Sequence, residues 1–470
     1  MDNDGDLDVV VNCLRAPALV YRNNAGRPRV AVRLRGRPPN TRAIGAWIRL
    51  RGGAVPEQIR EVTCGGLYLA GSDTLRVFAT GDARDGMTLE VFWRSGRYTR
   101  LEGVRANYLY ELDEAAADPA WPAPPSPPSP ARAPLFRDES DALGHTHQDA
   151  PFNDFARQRL LPRRLSTLGP GVAWLDADGD GREELFIGGG RGGRLAGFRN
   201  LGAGRFQPRA PAAAGAVLPD DVTGLCGAPL GDGRVSLLYG LASYESGQTN
   251  TPALWRVDFP ARAGGTDAPA RSPASASPGA GEVAAVPLLM TASAGPVVLA
   301  DWDGDGDLDA FVGARVAPGR YPESGASWLL RQQGGQFQPD PEASAALRGA
   351  GLVSGAMFSD LDGDGWPELV LACEWGPVRV YRNERGRFRE VTAALGLAEH
   401  TGWWWSVSAG DFDGDGRLDL VAGNWGENSL YQLAAPGPWL LYHGDFAGDE
   451  GVHLIEAWTD PATSRVLPWR

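Results

Sequence analysis

Four segments of the chain place acidic residues in the nine-residue pattern Asp-x-Asp-Gly-Asp-Gly-x-x-Asp/Glu. The segments run over residues 176–184, 301–309, 360–368 and 411–419. Carboxylates at positions 1, 3, 5 and 9 supply alternating oxygens, which are the ligands that a hard cation such as Ca²⁺ takes. Position 7 can add its backbone carbonyl, and the glycine at position 6 permits a tight turn. The pattern therefore predicts a calcium loop in each segment.

The predicted metal ligands occupy the same positions in every loop. They are Asp176, Asp178, Asp180, Arg182 and Glu184; Asp301, Asp303, Asp305, Asp307 and Asp309; Asp360, Asp362, Asp364, Trp366 and Glu368; and Asp411, Asp413, Asp415, Arg417 and Asp419. The residue at position 7 of each set would act through its backbone carbonyl. Close carboxylates repel one another without a cation between them, so about four Ca²⁺, one per intact loop, are expected as cofactors. The competing interpretation is a set of turns rich in Asp and Gly that hold no ion.

The residues around the loops favour strands over the flanking helices of an EF-hand. An EF-hand loop needs Glu at position 12, whereas position 12 here is Ile187, Val312, Leu371 or Ala422. Short apolar runs precede and follow the loops, and their length and β-rich composition predict strands. The loops are therefore expected to connect strands.

A second element follows the loops and completes a repeat. Residues 198–200 (Phe-Arg-Asn) and 381–383 (Tyr-Arg-Asn) each precede a Gly and a Phe, and residues 330–332 (Leu-Arg-Gln) are a variant. An aromatic residue, a polar turn and another aromatic residue indicate a further hairpin, so each unit carries about four strands. One interval between loops is about twice the usual 50 to 60 residues. Residues 228–236 fill that gap as a degenerate copy predicted to hold no metal, and a weaker copy begins at Asp445.

Four-stranded units at this period are typical of propeller blades. The repeats resemble the FG-GAP/VCBS repeats of integrin α-subunit-like β-propellers. That resemblance implies that each loop cages a Ca²⁺ between strands of one blade. The predicted fold class is all-β: a β-propeller of four-stranded blades with calcium loops, plus a small β domain.

Residues 1–8 carry the same loop without its first position, with Asp2, Asp4 and Asp8 as further predicted metal ligands. The apolar run 9–11 and the triplet 21–23 (Tyr-Arg-Asn) repeat the strand and hairpin elements. We interpret residues 1–24 as the last blade of a truncated N-terminal propeller, which makes the chain a fragment. A signal peptide would have been lost with the missing N-terminus.

Residues 25–113 lack the acidic loop and form a different unit with several strand-like runs. Residues 40–46 (Asn-Thr-Arg-Ala-Ile-Gly-Ala) and 92–96 (Phe-Trp-Arg-Ser-Gly) resemble the ASPIC/UnbV domain, which accompanies such repeats in the cartilage acidic protein family and in many bacterial secreted proteins. Arg94 departs from the family's Trp-Pro-x-Gly turn. The resemblance implies a small β domain without an established activity.

Three further stretches complete the predicted domain organisation. Residues 114–134 contain a Pro-rich run and are expected to be an extended linker. Residues 135–470 are assigned to the FG-GAP/VCBS propeller, with a disordered surface insertion at 261–282 that is rich in Ala, Pro, Ser and Gly. About five or six blade units are recognisable, so this propeller is expected to be incomplete at its C-terminus.

Composition excludes several classes of protein. The 470 residues carry a formal net charge of -13, which argues against nucleic acid or an anionic membrane as a partner. No apolar run is long enough for a transmembrane helix. The four cysteines, Cys13, Cys64, Cys226 and Cys373, lack metal-binding spacing. We interpret them as buried free thiols, with one disulfide as the alternative.

Residues 145–149 (His-Thr-His-Gln-Asp) could form a transition-metal or catalytic cluster, because His145, His147 and Asp149 alternate along one stretch. The favoured interpretation is a propeller-entry segment whose polar side chains fix the following loop.

Four tryptophans lie around the last intact loop. Trp403, Trp404, Trp405 and Trp425 could present aromatic faces to sugar rings. Strand alternation would send Trp404 to one side and its two neighbours to the other, so part of this cluster is expected to be inter-blade core.

No nucleophile elbow, phosphate-binding loop or zinc-protease motif is present, so no catalytic residue is predicted. The predicted function is an extracytoplasmic, secreted or cell-surface, calcium-binding propeller. It would act as a binding or adhesion scaffold for a protein or glycan partner on a propeller face. The alternatives are a carbohydrate-binding, lectin-like propeller and a propeller enzyme acting on polysaccharide. The sequence leaves the ligand and the oligomeric state open.

Overall fold

A computed structural model describes residues 8–11, 18–23, 26–64, 74–119, 136–138, 140–209, 216–230, 234–259, 282–426, 431, 439–460 and 463–469. These residues form antiparallel β-sheets almost throughout, with one parallel strand pair and one short α-helix at Asp154–Arg157. The predicted all-β fold is confirmed. None of the described helices has the length and hydrophobicity needed to span a membrane.

The first strands, β1 (Val9–Val11) and β2 (Leu19–Asn23), form an antiparallel hairpin. The next strands form a separate β unit, called here the inserted domain: β3 (Arg29–Arg35), β4 (Trp47–Arg51), β5 (Glu57–Glu61), β6 (Arg76–Ala79), β7 (Met87–Phe92), β8 (Tyr98–Val104) and β9 (Tyr108–Asp113). One of its sheets has the order β6-β3-β9 and the other β5-β4-β7-β8. Val30, Ile48, Phe78 and Leu89 are buried in the core between these strands.

The strand-like runs of the sequence in this unit are residues 30–34, 46–50, 75–78, 89–93 and 107–112. Two strands of the inserted domain, β5 and β8, correspond to none of these runs. The buried positions of β5 include charged side chains, since Glu57 and Glu61 are 3% and 6% exposed, whereas only Tyr98 and Val104 of β8 are buried. Arg51 donates to Glu57 at 2.8 Å. The domain also extends past the predicted boundary at 113. A 3-10 helix spans Glu114–Ala116, and Asp118 forms a bridge with Tyr98.

The strand after the inserted domain, β10 (Phe136–Asp138), pairs with β2 in an antiparallel register. Val20 of β2 packs with Val172 and Ile187 of the repeat unit that follows. The structure thus differs from the prediction of a separate N-terminal propeller for residues 1–24. Pairing with β10 gives the backbone groups of β2 hydrogen-bond partners, and the inserted domain lies between two strands of one sheet.

Four successive groups of four antiparallel strands form the repeat region. The first three groups are separate four-stranded sheets, and the fourth is part of a six-stranded sheet that also contains the next two strands of the chain. They are β11 (Val172–Leu175), β12 (Glu184–Ile187), β13 (Ala196–Asn200) and β14 (Phe206–Pro208); β15 (Asp221–Pro229), β16 (Val235–Ala242), β17 (Leu254–Phe259) and β18 (Glu282–Val286); β19 (Ala294–Ala300), β20 (Asp309–Ala314), β21 (Trp328–Gln333) and β22 (Gln336–Pro339); and β23 (Leu352–Ser359), β24 (Glu368–Gly376), β25 (Arg379–Asn383) and β26 (Phe388–Glu390). The first strands of neighbouring sheets contact one another, as blades do around a propeller axis. Strands β19 and β23 are buried along their whole length.

The degenerate copy at 228–236 connects β15 to β16 and is part of a four-stranded sheet like its neighbours. Residues 231–233 at its centre lie outside the described residues, as does nearly all of the predicted insertion at 261–282.

The last repeats are shorter in the described chain. Strands β27 (Gly402–Gly410) and β28 (Asp419–Asn424) pair with each other, and β27 also pairs with β24. A three-stranded sheet follows, made of β29 (Leu440–Gly444), β30 (His453–Thr459) and β31 (Val466–Pro468). The weak copy at Asp445 is the connection between β29 and β30. Leu454 of β30 packs with Tyr244 and Tyr321, which follow the second strands of two blades.

Candidate metal centres

Each of the four acidic loops joins the first strand of its sheet to the second. Position 9 is the first residue of that second strand in every case: Glu184 begins β12, Asp309 begins β20, Glu368 begins β24 and Asp419 begins β28. Since the first strands neighbour one another, the loops lie at one end of the blades. Trp366 of the third loop contacts Gly304 of the second. The predicted strand–loop–strand arrangement is therefore present.

The carboxylate at position 1 shapes the loop by accepting backbone hydrogen bonds. Asp176 accepts from the amides of Gly179 at 2.7 Å and Gly181 at 3.1 Å. Asp360 and Asp411 accept in the same way from positions 4 and 6 of their own loops. Gly181 has a φ of 87°, in the left-handed region that side chains rarely adopt. Glycine is needed there because the amide of position 6 must point back at position 1.

Carboxylate oxygens at positions 1, 3 and 9 converge in three loops. The groups are Asp176, Asp178 and Glu184; Asp301, Asp303 and Asp309; and Asp360, Asp362 and Glu368, with the ligand atoms of each group within 4.8 Å of one another. Glu184 and Asp309 are fully buried, yet Glu184 Oε1 and Asp309 Oδ2 have no hydrogen-bond partner. A buried anionic oxygen without a partner is costly. These donors fit a hard cation such as Ca²⁺.

The pKa values of the position 9 carboxyls reflect the same arrangement. Burial raises the pKa of Glu184 to about 7, and the nearby Asp178 carboxylate adds to the rise. Burial likewise raises the pKa of Asp309 to about 8 and that of Glu368 to about 7. Each of these carboxyls would ionise readily beside a divalent cation, so ion binding and proton binding oppose each other.

The carboxylate at position 5 bonds the backbone rather than joining the converging group. Asp180 accepts from the amide of Arg182 at 2.9 Å. The same bond recurs at 2.9 Å in the other loops, from Asp307 to Asp305, from Trp366 to Asp364 and from Arg417 to Asp415. Position 3 accepts from position 5 in a similar way at Asp303, Asp362 and Asp413. The role of the position 7 carbonyls stays a prediction.

The fourth loop is less enclosed than the first three, and Asp8 is the described residue of the N-terminal loop. Asp419 is only partly buried and accepts from the Phe412 amide at 2.9 Å. In the N-terminal loop, Asp8 accepts from the Asn23 amide at 2.8 Å, while Asp2 and Asp4 lie outside the described residues.

The arginine of the aromatic-Arg-Asn triplet is a functional residue that the sequence interpretation missed. Arg199 binds Asp178 at 3.0 Å and Asp180 at 3.3 Å in its own loop. Arg382 binds Asp362 at 2.6 Å, and Arg331 pairs with Asp303. The recurrence of an arginine at this place after the first three intact loops was the available signal. It supplies a positive charge on the outer side of the acidic group.

The residue after that arginine closes the loop against the third strand. Its backbone amide donates to position 9: Gln332 to Asp309 at 2.8 Å, and Asn383 to Glu368 at 3.4 Å. The bond from Asn23 to Asp8 is the same contact at the N-terminal hairpin. The triplet therefore holds the position 9 carboxylate in place as well as forming a hairpin.

The inserted domain lies directly against the acidic loops. Arg94 donates to the backbone carbonyl of Gly365 at 2.6 Å, and its Nε lies 3.4 Å from the Asp301 carboxylate. It also donates to the Asp301 carbonyl, so one arginine joins two loops. Arg33 donates to the Gly181 carbonyl at 3.2 Å, and Arg42 pairs with Glu183. Arginines of the domain thus reach three of the four loops.

Glu61 adds an acidic contact between the inserted domain and the third loop. It accepts from the Ser359 hydroxyl and from the Asp360 amide at 3.4 Å. Burial raises its pKa to about 8.

Beside these contacts, a cleft of about 1020 Å³ opens between the inserted domain and the second and third loops. Its lining mixes aromatic and charged groups, including Trp47, Trp366, Arg37 and Asn40.

In the histidine segment, His145 is half-buried and His147 is buried. His145 packs edge-on against Phe198 with 5.6 Å between ring centres. Burial lowers the pKa of both His145 and His147. Asp149 lies within ligand distance of Asp221 and Glu245, two buried acids at the opposite end of the strands.

Arg191 balances this second acidic group. It pairs with Glu245, and its backbone amide donates to Asp221 at 2.9 Å. Burial raises the pKa of Asp221 to about 8 and that of Glu245 to about 7.

The tryptophans around the fourth loop are largely packed against one another. Trp403 is 7% exposed and stacks on Trp425 with 4.7 Å between ring centres. Trp375 and Tyr431 contact its edges. Trp403 therefore belongs to the core between repeats, as the competing interpretation expected.

Comparison with known proteins identifies two families. Residues 301–371 and 360–422 match the FG-GAP-like repeat. Residues 36–119 match the ASPIC and UnbV family. No curated protein matches the chain.

A solved structure that concerns the specific recognition of non-reducing terminal N-acetylglucosamine by an Agrocybe aegerita lectin is similar over 90% of this chain and 89% of its own. It is 14% identical with a TM-score of 0.26, and a similarity of that size carries no argument about this protein.

The fold and the repeats together define an all-β protein with FG-GAP-like repeats in a propeller-like arrangement. The inserted domain is an ASPIC/UnbV domain. Both resemblances drawn from the sequence are confirmed. A particular kinship with the cartilage acidic protein family stays a prediction.

Proposed function

We propose that this chain is an extracytoplasmic, calcium-binding propeller that serves as a binding or adhesion scaffold for a protein or glycan partner. FG-GAP-like repeats indicate a binding scaffold in general terms. The observation that carries the calcium assignment is the convergence of positions 1, 3 and 9 around buried oxygens that lack a partner, as at Glu184 and Asp309.

The ions would act on the scaffold rather than on a substrate. A bound Ca²⁺ supplies the positive charge that offsets three converging carboxylates. The chain's own residues fix the carboxylates. Backbone amides orient the carboxylate at position 1, and the arginine of the third strand pairs with the carboxylate at position 3. Loops fixed in this way hold the first two strands of a blade together.

The ASPIC/UnbV domain packs directly on the same loops. Arg94 binds carbonyl oxygens of two loops, so the position of the domain depends on the shape of both. Calcium would therefore stabilise the domain's placement as well as the individual blades. The faces and the cleft left free by this contact are where a partner would bind.

The glycan alternative gains support from the cleft beside Arg94. Trp47 and Trp366 contribute partly exposed aromatic surface, while Arg37 and Asn40 contribute hydrogen-bond donors. Aromatic faces combined with a few convergent polar groups suit a carbohydrate better than an apolar ligand.

The proposal is tested by calorimetric titration of calcium into chelator-treated protein, followed by glycan-array and matrix-protein binding with loaded and stripped protein. Calcium binding in several loops and calcium-dependent capture of a defined glycan or protein are expected. Absence of calcium binding would overturn the metal assignment. Capture that is unchanged in chelator would separate partner binding from the loops and overturn their role in it.

A further inference from the structure

Cys64 lies where the ASPIC/UnbV domain meets the repeat region. It follows β5 and forms an isolated antiparallel bridge with Leu299 of β19. Its Sγ lies 3.8 Å from the carbonyl oxygen of Gly227 in β15. Cys64 packs against the core of the domain and also against a core cluster of the repeats. It is thus a side chain of one unit embedded at the surface of the other.

Cys226 is the adjacent residue on the repeat side. It lies in β15, one position before Gly227, and is 1% exposed. Cys64 packs against the core cluster of the repeats that contains Cys226. Both also line a small cavity of about 20 Å³ at this junction, together with Ile44 and Trp174. A cysteine from each unit therefore lines the same small cavity, and both are thiols in the structure.

We propose that Cys64 and Cys226 are a redox-active pair that forms a disulfide between the ASPIC/UnbV domain and the propeller. The oxidant is an external disulfide, either a small molecule or a protein. The Cys64 thiolate attacks one sulfur of that disulfide, which forms a mixed disulfide and releases the first external thiol. The Cys226 thiolate then attacks Cys64 Sγ and releases the second. The two cysteine protons end on the two released thiols, and the electrons reduce the external disulfide.

The environments of the two sulfurs assign these roles. Cys64 is only partly buried, and its interaction with the Cys226 side chain lowers its pKa, with Arg42 and Arg76 contributing in the same direction. Interaction with the Cys64 side chain, together with burial, raises the pKa of Cys226 well above its ordinary value. Cys64 is therefore the more reactive thiolate and the more exposed residue of the two, which assigns it the first attack on an external disulfide.

The third described cysteine shows the contrast. Cys373 lies in β24, donates to the Ala350 carbonyl at 3.3 Å, and has its pKa raised to about 12 by burial. It is paired with backbone rather than with another sulfur, which makes it an internal control. Cys13 lies outside the described residues.

The pairing does not depend on the calcium proposal. Only the oxidising compartment in which it would form belongs to the proposed function, because disulfides persist chiefly outside the cytosol. Once formed, the bond would hold the domain on the propeller even where calcium is removed from the loops. Two independent interactions would then hold the ASPIC/UnbV domain on the propeller: its contacts with the calcium loops and the disulfide.

The test uses the full-length wild-type chain, equilibrated with a series of reduced and oxidised glutathione mixtures. Remaining thiols are blocked with an alkylating reagent, and the protein is digested without reductant and analysed by mass spectrometry. We expect a Cys64–Cys226 linked peptide that becomes the main form of both residues as oxidant increases. Cys373 should remain an unlinked thiol throughout, and it should react with the alkylating reagent only after the protein is unfolded. Cys64→Ser should leave Cys226 unlinked, and Cys373→Ser should leave the linked peptide unchanged.

Glutathione retained on Cys64 without transfer to Cys226 would overturn the proposal, as would alkylation of both thiols throughout the series. Repeating the series in chelator separates this result from the calcium proposal. A linked peptide that forms in chelator without any calcium binding would sustain the disulfide alone. Calcium binding without a linked peptide would sustain only the loops.

Discussion

At the scale of single residues, position 9 of each loop is the carboxylate whose environment depends most on a bound ion. Asp309 is fully buried, and one of its oxygens has no hydrogen-bond partner. Its neighbours Asp301, Asp305 and Asp307 raise its pKa beyond the effect of burial. Such a group destabilises the ion-free protein and stabilises the loaded one.

Substitution Asp309→Asn is predicted to have opposite effects in the two states. With calcium tenfold above the dissociation constant, loss of one ion should cost about 1.4 kcal/mol of unfolding free energy. In chelator the variant should be as stable as the parent or more stable, because a neutral amide replaces a carboxyl that is unfavourable when ionised. Denaturant unfolding in both buffers measures the two differences.

The matched control is Glu342→Gln. Glu342 is an exposed acid in the same repeat, directly before the 3-10 helix Ala343–Leu347, and its side chain makes no capping hydrogen bond to that helix. It should leave both unfolding free energies and the amount of bound calcium unchanged. If Asp309→Asn destabilises equally with and without calcium, the residue has a packing role and no ion.

The raised pKa values also predict how the ion-free protein responds to pH. Glu184, Asp309 and Glu368 have folded pKa values of about 7, 8 and 7 against ordinary values of 4.5, 3.8 and 4.5. Between those limits the folded state binds more protons than the unfolded state, so stability falls as pH rises. In chelator the melting temperature should therefore decrease from about pH 5 to about pH 8.

Calcium should reduce this pH dependence, because it replaces the protons on the loop carboxyls. A part should remain, since Asp221 and Glu245 also have raised pKa values and lie away from the loops. Melting curves across this range with and without calcium measure the difference. Parallel pH profiles in the two buffers would contradict the account.

At the scale of elements, the sequence predicted the strand–loop–strand unit well because its signals are local. The nine-residue pattern and the apolar runs beside it fix a loop between two strands, and β12, β20, β24 and β28 begin at position 9 as this requires. The role of the third-strand arginine was not predicted, because its contact with Asp178 or Asp362 forms only after the strands pair. Strand β5 was not predicted because its buried positions include Glu57 and Glu61, and β8 was not predicted because most of its residues are not buried.

Arg94 is the element-level contact between the ASPIC/UnbV domain and two loops. Arg94→Ala should destabilise the docked domain by about 2 kcal/mol, because two carbonyl oxygens lose a charged donor. Hydrogen exchange should then increase in residues 301–309 and 360–368. Arg84→Ala, which removes an exposed arginine of the same domain, is the control and should leave these loops unchanged. Unchanged exchange in Arg94→Ala would show that the arginine does not hold the domain there.

At the scale of the whole molecule, the chain is less divided than its sequence suggested. The acidic loop and the Tyr-Arg-Asn triplet relate residues 1–24 to the repeats, and the sequence alone favours a separate propeller for them. Pairing of β2 with β10 joins positions that the entire inserted domain separates in sequence. No local pattern encodes such a pairing, and the same holds for the contact between Cys64 and Cys226.

The central claim is that the acidic loops hold calcium and thereby stabilise the propeller and its docked domain. The most direct measurement is a thermal melt of the full-length chain with calcium titrated against excess chelator, with bound metal counted in parallel. We predict a melting temperature that rises with calcium and a content of about four ions per chain, one for each intact loop. A chain that binds no calcium and melts at the same temperature in both buffers would contradict the claim.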